Sequence, residues 1–262
     1  MVRSKCTAWH AVSEELGAWV AAGATPQFWW RDDDAFRETT PLRRLRELLS
    51  QETLVLAVVP GRLQNDLVRS LETWPLVTVI QHGWKHFNHA EAGAPPSEYP
   101  PERLQTEVKD ELAQGQRILL AAFHARFHPV FVPPWHRCAP WILHKARAFG
   151  FQSISGQAPP FPLLHHGYPG EVNIEIDISD WTREGRFVGA GRLASQICRS
   201  LRLRREWSAW DVPIGILSHH QRLTHGDFHF LADLIAHLRD HGVRWIAAEW
   251  LFATRPIQEV AR

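Results

Sequence analysis

Leu76-Val77-Thr78-Val79-Ile80-Gln81-His82-Gly83-Trp84-Lys85-His86 is the stretch on which the fold turns. Residues 76–80 form a short β-prone run, apolar except at Thr78. Near-continuous apolar strands are typical of parallel sheets covered on both sides. The run delivers His82, and His86 follows four residues later, so two imidazole nitrogens can aim at one point. A carboxylate ending an earlier strand can supply a third ligand, and Asp32-Asp33-Asp34 stands where such a strand ends. Two histidines and one carboxylate leave coordination positions open, as a hydrolytic metal site requires.

The same pattern extends in both directions. Upstream, Gln27-Phe28-Trp29-Trp30-Arg31 is a β-prone run ending in the acids. Residues 41–51 read as a helix with Leu42, Leu45, Leu48 and Leu49 on one face. Residues 53–59 are a continuous apolar strand stopped by Pro60-Gly61, and 63–71 are helical. Downstream, 92–101 hold four prolines and read as an irregular loop. A helix is expected over 102–122, then a strand over 129–132 followed by Pro133-Pro134-Trp135. Residues 141–149 read as a helix closed by Gly150 as C-cap, and 151–154 as a strand. Residues 155–170, rich in Pro and Gly, read as loop. The run 172–178 leads into Asp180-Trp181, 193–205 form a helix, and the strand 212–217 delivers His219-His220. A helix over 228–241 and a strand over 244–247 complete the chain. Repeated strand–helix units without a composition break predict one α/β domain over 1–262, built on a parallel sheet or barrel. In such barrels the loops after the strands build the active site. The acids, His82, Pro133-Pro134-Trp135, Asp180-Trp181 and His219 each follow an expected strand.

Composition narrows the partners. The net charge of +1 gives 262 residues no overall attraction to nucleic acid or anionic membrane. The local cluster Arg199, Arg202, Arg204 and Arg205 reads as a solvated helix face. Cys6, Cys138 and Cys198 are odd in number and far apart, which suggests no disulfide framework and suits a reducing compartment. His10, Glu14 and Glu15 interrupt any signal core, and no window approaches the ~20 apolar residues that span a bilayer. The expected location is the cytoplasm. The 13 Trp are mostly core material, though with 16 His they suit a site that handles sugar rings and a metal.

Three adjacent carboxylates repel one another, which calls for a cation nearby unless they simply favour the first turn of the next helix. Beside the His pair, His89 points elsewhere unless the turn is helical, and Asn88 is placed to orient a neighbour. Hydrolysis of an amide also needs a base and an acid on separate groups. An Asp beside the metal can serve as one, and a His from a late strand as the other.

In this order the motifs resemble the polysaccharide deacetylase family, also called the NodB-homology domain or carbohydrate esterase family four. Arg31-Asp32-Asp33-Asp34-Ala35 matches the family's acid turn, and His82 with His86 its His-x-x-x-His motif. Phe131-Val132-Pro133-Pro134-Trp135 matches the third element in part. Asp177-Ile178-Ser179-Asp180-Trp181 matches the fourth, and Ile216-Leu217-Ser218-His219 the fifth. The resemblance runs from about Arg31 to His220, most of the chain.

The resemblance implies a distorted (β/α)7-type barrel, a divalent metal and hydrolysis of an N-acetyl group from an amino sugar. Zinc is the first choice of ion, with cobalt, nickel or manganese as alternatives. Carried over by position, Asp33 is the general base, Asp34, His82 and His86 hold the metal, and His219 is the general acid. Trp181 packs beside that acid, Asp180 orients a basic partner, and Trp135 lines the acetyl or sugar pocket. Three departures stand out. There are three aspartates where the family has two, so the register is open and Asp32 is a contender. Val132 stands where the family has an arginine that tunes the base; Arg137 and Arg31 are the candidates to replace it. His220 follows the acid histidine, which leaves that histidine's tautomer partner open. Two other readings stand beside this one: a metal-dependent C–N amidase acting on a non-sugar small molecule, and a carbohydrate-binding protein that kept the fold and lost turnover.

Overall fold

The strands β1 (Gln27–Ala35), β2 (Leu54–Val58) and β3 (Val77–His82) are buried at nearly every position because both of their faces are covered. The computed structural model describes the backbone of residues 2–158 and 170–252, and side chains from residue 9 onward. With β4 (Phe127–Val132), β5 (Ser153–Ile154), β6 (Ile176–Asp177) and β9 (Ile214–Ser218), these strands make a curled parallel sheet in the order β5-β4-β3-β2-β1-β9-β6. A short antiparallel ribbon, β7 (Ser179–Asp180) with β8 (Arg186–Phe187), extends the loop after β6. The last strand, β10 (Arg244–Trp245), pairs with the first residues of β1 through Gln27↔Arg244.

Residues 171–177 draw the two sheet edges together. The N–H groups of Val172 and Ile174 donate to Ile154 and Gly156 beside β5, and the N–H of Glu175 donates to Gly215 in β9. The result is a distorted (β/α)7 barrel. Alternation along each strand then sorts the side chains into two sets. Trp29, Val55, Ala57, Ile80, Val132 and Leu217 fill the lumen. Phe28, Trp30, Leu56, Val79 and Ile216 face the outer helices. Gly215 has no side chain because Trp29 occupies the space: a Cβ there would lie 2.7 Å from the indole nitrogen.

The outer layer comprises α1 (Val2–Ala21), α2 (Thr40–Leu48), α3 (Asn65–Glu72), α4 (Gln105–Phe123), α5 (Pro140–Lys145), α6 (Ala190–Glu206), α7 (His225–Asp240) and the short α8 (Ala248–Leu251). The leucines of α2 and α3 face the sheet, and Thr39 caps α2 through the Leu42 N–H at 3.2 Å. Gly150 closes the turn after α5 in the left-handed conformation, at φ 92°. Helix α1 precedes the first element expected from the sequence. In the structure α1 packs on α6 and buries Val12, Leu16 and Trp19.

One expectation is corrected outright. The arginines of α6 do not form a uniform solvated face. Arg199 and Arg202 are exposed, but Arg204 is fully buried, with its Nη2 2.7 Å from Glu175 Oε2. It also donates to the carbonyls of Ser200, Val212 and Pro213. Arg205 pairs with Glu15 of α1 at 2.7 Å. Within the expected loop 155–170, residues 159–169 lie outside the described residues, as does the Cys6 side chain.

Candidate metal centre and its flanking acid and base

The sheet's pleat assigns the aspartates. Arg31 and Asp33 share the lumen face with Trp29, and Asp32 points the opposite way with Trp30. Arg31 Nε lies 2.9 Å from Asp33 Oδ1, and its Nη2 3.1 Å from Oδ2. Its Nη1 donates across the lumen to the carbonyl oxygen and hydroxyl of Ser155, at 2.9 and 2.7 Å. Burial would raise the Asp33 carboxyl, but Arg31, then His82, His219 and His136, hold it below the usual carboxylate range. Of the two candidates to stand beside this carboxylate, Arg31 is therefore the one in place. Arg137 is exposed and lines a cavity next to the site instead.

Asp32 does not reach the lumen. It accepts from the Ser218 hydroxyl at 2.6 Å and the His220 N–H at 2.9 Å, and it lies 2.5 Å from His220 Nδ1. Trp30 Nε1 donates to the same hydroxyl. Alternation along β9 puts Ser218 and His220 on this outer face and leaves His219 on the inner one.

At Asp34 the pleat breaks. The β1–β2 register shifts between Asp32 and Ala35, and Asp34 has φ 70°, a left-handed conformation that Asp tolerates. The break turns its carboxylate toward β3, with Oδ1 3.1 Å from His82 Nε2 and 3.2 Å from His86 Nε2. One donor atom from each residue lies within 4.8 Å of the others. Nδ1 of His82 donates to the Val132 carbonyl at 3.2 Å, which leaves Nε2 as the ring nitrogen on the Asp34 side. This donor set fits a divalent ion: two imidazoles and one carboxylate converge from two strands. Burial lowers the His86 pKa to about 4, helped by His82. Burial acts the same way on His82, but Asp33 and Asp34 outweigh it and raise that group. Asp34 is held well below the carboxylate range, because its hydrogen bond and charge interaction with His82 outweigh burial.

The turn carrying His86 is built on two residues the sequence did not single out. Gly83 adopts φ 55°, and a Cβ there would fall 2.0 Å from Glu98 Oε2. Glu98 comes from the proline-rich loop and is buried. It accepts from the N–H groups of Trp84, Lys85 and Phe87 at 2.9, 2.7 and 3.4 Å. Its carboxylate thus organises the turn between the two histidines.

The Trp135 ring lies 4.1 Å from that of His86 between centroids. Trp135 and His136 both have left-handed backbones, at φ 53° and 55°. His136, also missed by the sequence reading, is turned inward. Burial and then Arg31 press its pKa down to about 3. Opposite, Nδ1 of His219 lies 3.3 Å from the Ser179 hydroxyl, and the Trp181 ring meets His219 edge-on at 4.8 Å. Asp177 supports this corner. It accepts from Trp181 Nε1 and from the Ser179 N–H, both at 2.8 Å. Asp180 accepts from the Thr182 N–H at 3.1 Å, and the basic group beside it is Arg192, 3.3 Å away.

No family model matches the sequence, and no curated protein matches it either. Solved structures do resemble it. A peptidoglycan N-acetylglucosamine deacetylase in complex with a substituted N-oxidanyl-benzamide is 15% identical, with a TM-score of 0.55 over 91% of this chain and 97% of that one. A family 4 acetyl xylan esterase from Clostridium thermocellum, in complex with a cobalt ion, is 14% identical, with a TM-score of 0.55 over 86% and 90%. A mutant of a CE4-family pseudoenzyme with restored activity is 17% identical, with a TM-score of 0.56 over 89% and 70%. The chain has the fold of the family 4 carbohydrate esterases and deacetylases, the NodB-homology barrel.

Proposed function

We propose that this protein is a metal-dependent hydrolase that removes an N-acetyl group from an amino sugar. The observation that carries the reading is the convergence of Asp34, His82 and His86 within 4.8 Å on the lumen side, with Asp33 and His219 beside them. A divalent ion held there, zinc by preference, would supply Lewis acidity toward the acyl carbonyl and toward water. The cobalt in the acetyl xylan esterase structure makes cobalt a reasonable alternative.

The protein's own groups would divide the proton transfers. Asp33, kept anionic by Arg31, accepts a proton from the attacking water. His219, steadied by Ser179 and Trp181, gives one to the departing nitrogen. Trp135 and Trp181 would flank the acyl group and the sugar, while Asp180 braces the turn that presents Trp181. A second reading, a C–N amidase on a non-sugar small molecule, draws on the cavity of about 740 Å³ lined by His136 and Arg137, a size suited to a small ligand.

The test is to measure bound metal and acetate release across chitooligosaccharides, sugar nucleotides and small amides. His82→Ala and His86→Ala should lose both metal and activity. Unchanged turnover in either variant would overturn the assignment, and metal binding without hydrolysis of any compound would favour a binding protein.

A further inference from the structure

The geometry points to an anion subsite beside the metal centre, formed by Arg37, Arg62 and Lys85, which takes a phosphate or pyrophosphate carried by the substrate. This inference rests on the hydrolase reading and names the substrate class more closely. The three cations come from the turns after β1, β2 and β3, the strands that carry or adjoin the metal ligands. Phe36 lies two residues beyond Asp34. The Arg62 guanidinium sits over its ring at 3.9 Å, and that of Arg37 at 5.5 Å. Lys85 lies between the two histidines of the metal site. Its side chain runs across Gly61, where an added Cβ would fall 2.6 Å from Lys85 Cγ. The N–H of Gly61 donates to the Trp84 carbonyl at 2.8 Å, which ties the Arg62 turn to the Lys85 turn.

Charge balance is what makes this cluster informative. The whole chain carries only +1, yet the turns after β1, β2 and β3 each present a cation. Among the described residues no carboxylate forms an ion pair with any of them. Glu38, the nearest acid in sequence, is 3.2 Å from Arg43 instead. Arg62 packs over Phe36 at 3.9 Å with Arg37 near the same ring, among the described residues neither guanidinium edge is hydrogen-bonded, and such an edge suits phosphate oxygens. Arg37 and Arg62 are exposed, so an anion can reach them without rearrangement of the core. A neutral polymer would give this cluster no partner. A sugar phosphate, a sugar nucleotide or a lipid-pyrophosphate sugar would, with its acetamido group at the metal.

Two measurements separate this inference from the reading beneath it. Calorimetric titration of the metal-free protein with inorganic pyrophosphate should show saturable binding, weakened by about tenfold or more in Arg37→Ala/Arg62→Ala. Absent binding, or equal binding in both proteins, would overturn the subsite. With metal-loaded protein, kcat/KM for N-acetylglucosamine 1-phosphate, a sugar nucleotide or a lipid-pyrophosphate sugar should exceed that for chitotriose, and the double variant should raise KM more than it lowers kcat. Preference among the three phosphorylated compounds identifies the source of the phosphate. Equal kcat/KM for neutral and phosphorylated compounds, unmoved by the double variant, overturns the subsite and leaves the hydrolase standing. Loss of pyrophosphate binding in the variant, with no acetamido compound hydrolysed, keeps the subsite and removes the hydrolase.

Discussion

Arg31 and Asp33 sit two apart on one strand, and that spacing decides their relationship. Side chains at i and i+2 of a strand lie on one face, so the guanidinium and the carboxylate meet in the lumen while Asp32 is sent to the other side. Asp33→Asn should lower kcat by about 10²- to 10⁴-fold, the usual worth of a positioned base, while bound metal stays unchanged. Parallel metal analysis and acetate assay check this, and an equal loss of metal would reassign Asp33 as a ligand. His136 supports a pH prediction. Its folded pKa is about 3, against 6.5 for the unperturbed ring. Between those values the unfolded chain binds a proton that the folded chain does not, so this group destabilises the fold as pH falls. In urea unfolding of the metal-free protein, His136→Gln should gain on the parent as pH drops below 6.5. A constant difference across that range would show that the ring titrates normally.

Among the elements, the irregular ones hold the site. The β1 break at Asp34 and the Gly83–Phe87 turn are where regular structure stops, and each lets a ligand turn back toward the lumen. Glu98 joins the proline-rich loop to the second of these through three main-chain N–H groups. Glu98→Gln exchanges a charged acceptor for a weaker neutral one, and an amide nitrogen cannot accept. Metal affinity, read by competition with a chelator, should fall about 10- to 100-fold, the range found when groups behind metal ligands are altered. Thermal stability should change less. Unaltered affinity would mean that the turn keeps its shape without the carboxylate.

For the whole molecule, one stake outside the site is the buried pair of Arg204 and Glu175. It ties α6 to the strand that closes the barrel. Both side chains are almost wholly buried, and Arg204 makes further bonds to Ser200, Val212 and Pro213. Removing one partner strands the other, which costs about 3–5 kcal/mol in buried pairs. Arg204→Ala should therefore show a much lower urea midpoint. A drop comparable to that of an exposed arginine variant such as Arg199→Ala would show that the pair adds little.

The strands of the main sheet and most of the helices were legible in the chain itself, whereas the β7–β8 ribbon was not. Apolar runs with two covered faces identify parallel strands, and the punctuation after each run marks where chemistry collects. The three-aspartate register was legible in principle, since the period of two separates Asp32 from Arg31 and Asp33. The choice between Arg31 and Arg137 was not, because it depends on which side chain crosses the lumen to Ser155. Glu98 and His136 were also hidden. One lies in a loop without periodicity, and the other is turned inward by two left-handed residues that no local propensity announces. Arg204 looked like its exposed neighbours because a charge reads as solvated until a partner 29 positions away is folded against it. Local pattern is set by which face of an element is wet, and that much the sequence determined. Which distant groups then meet is set by barrel closure, and only the tertiary structure decided it.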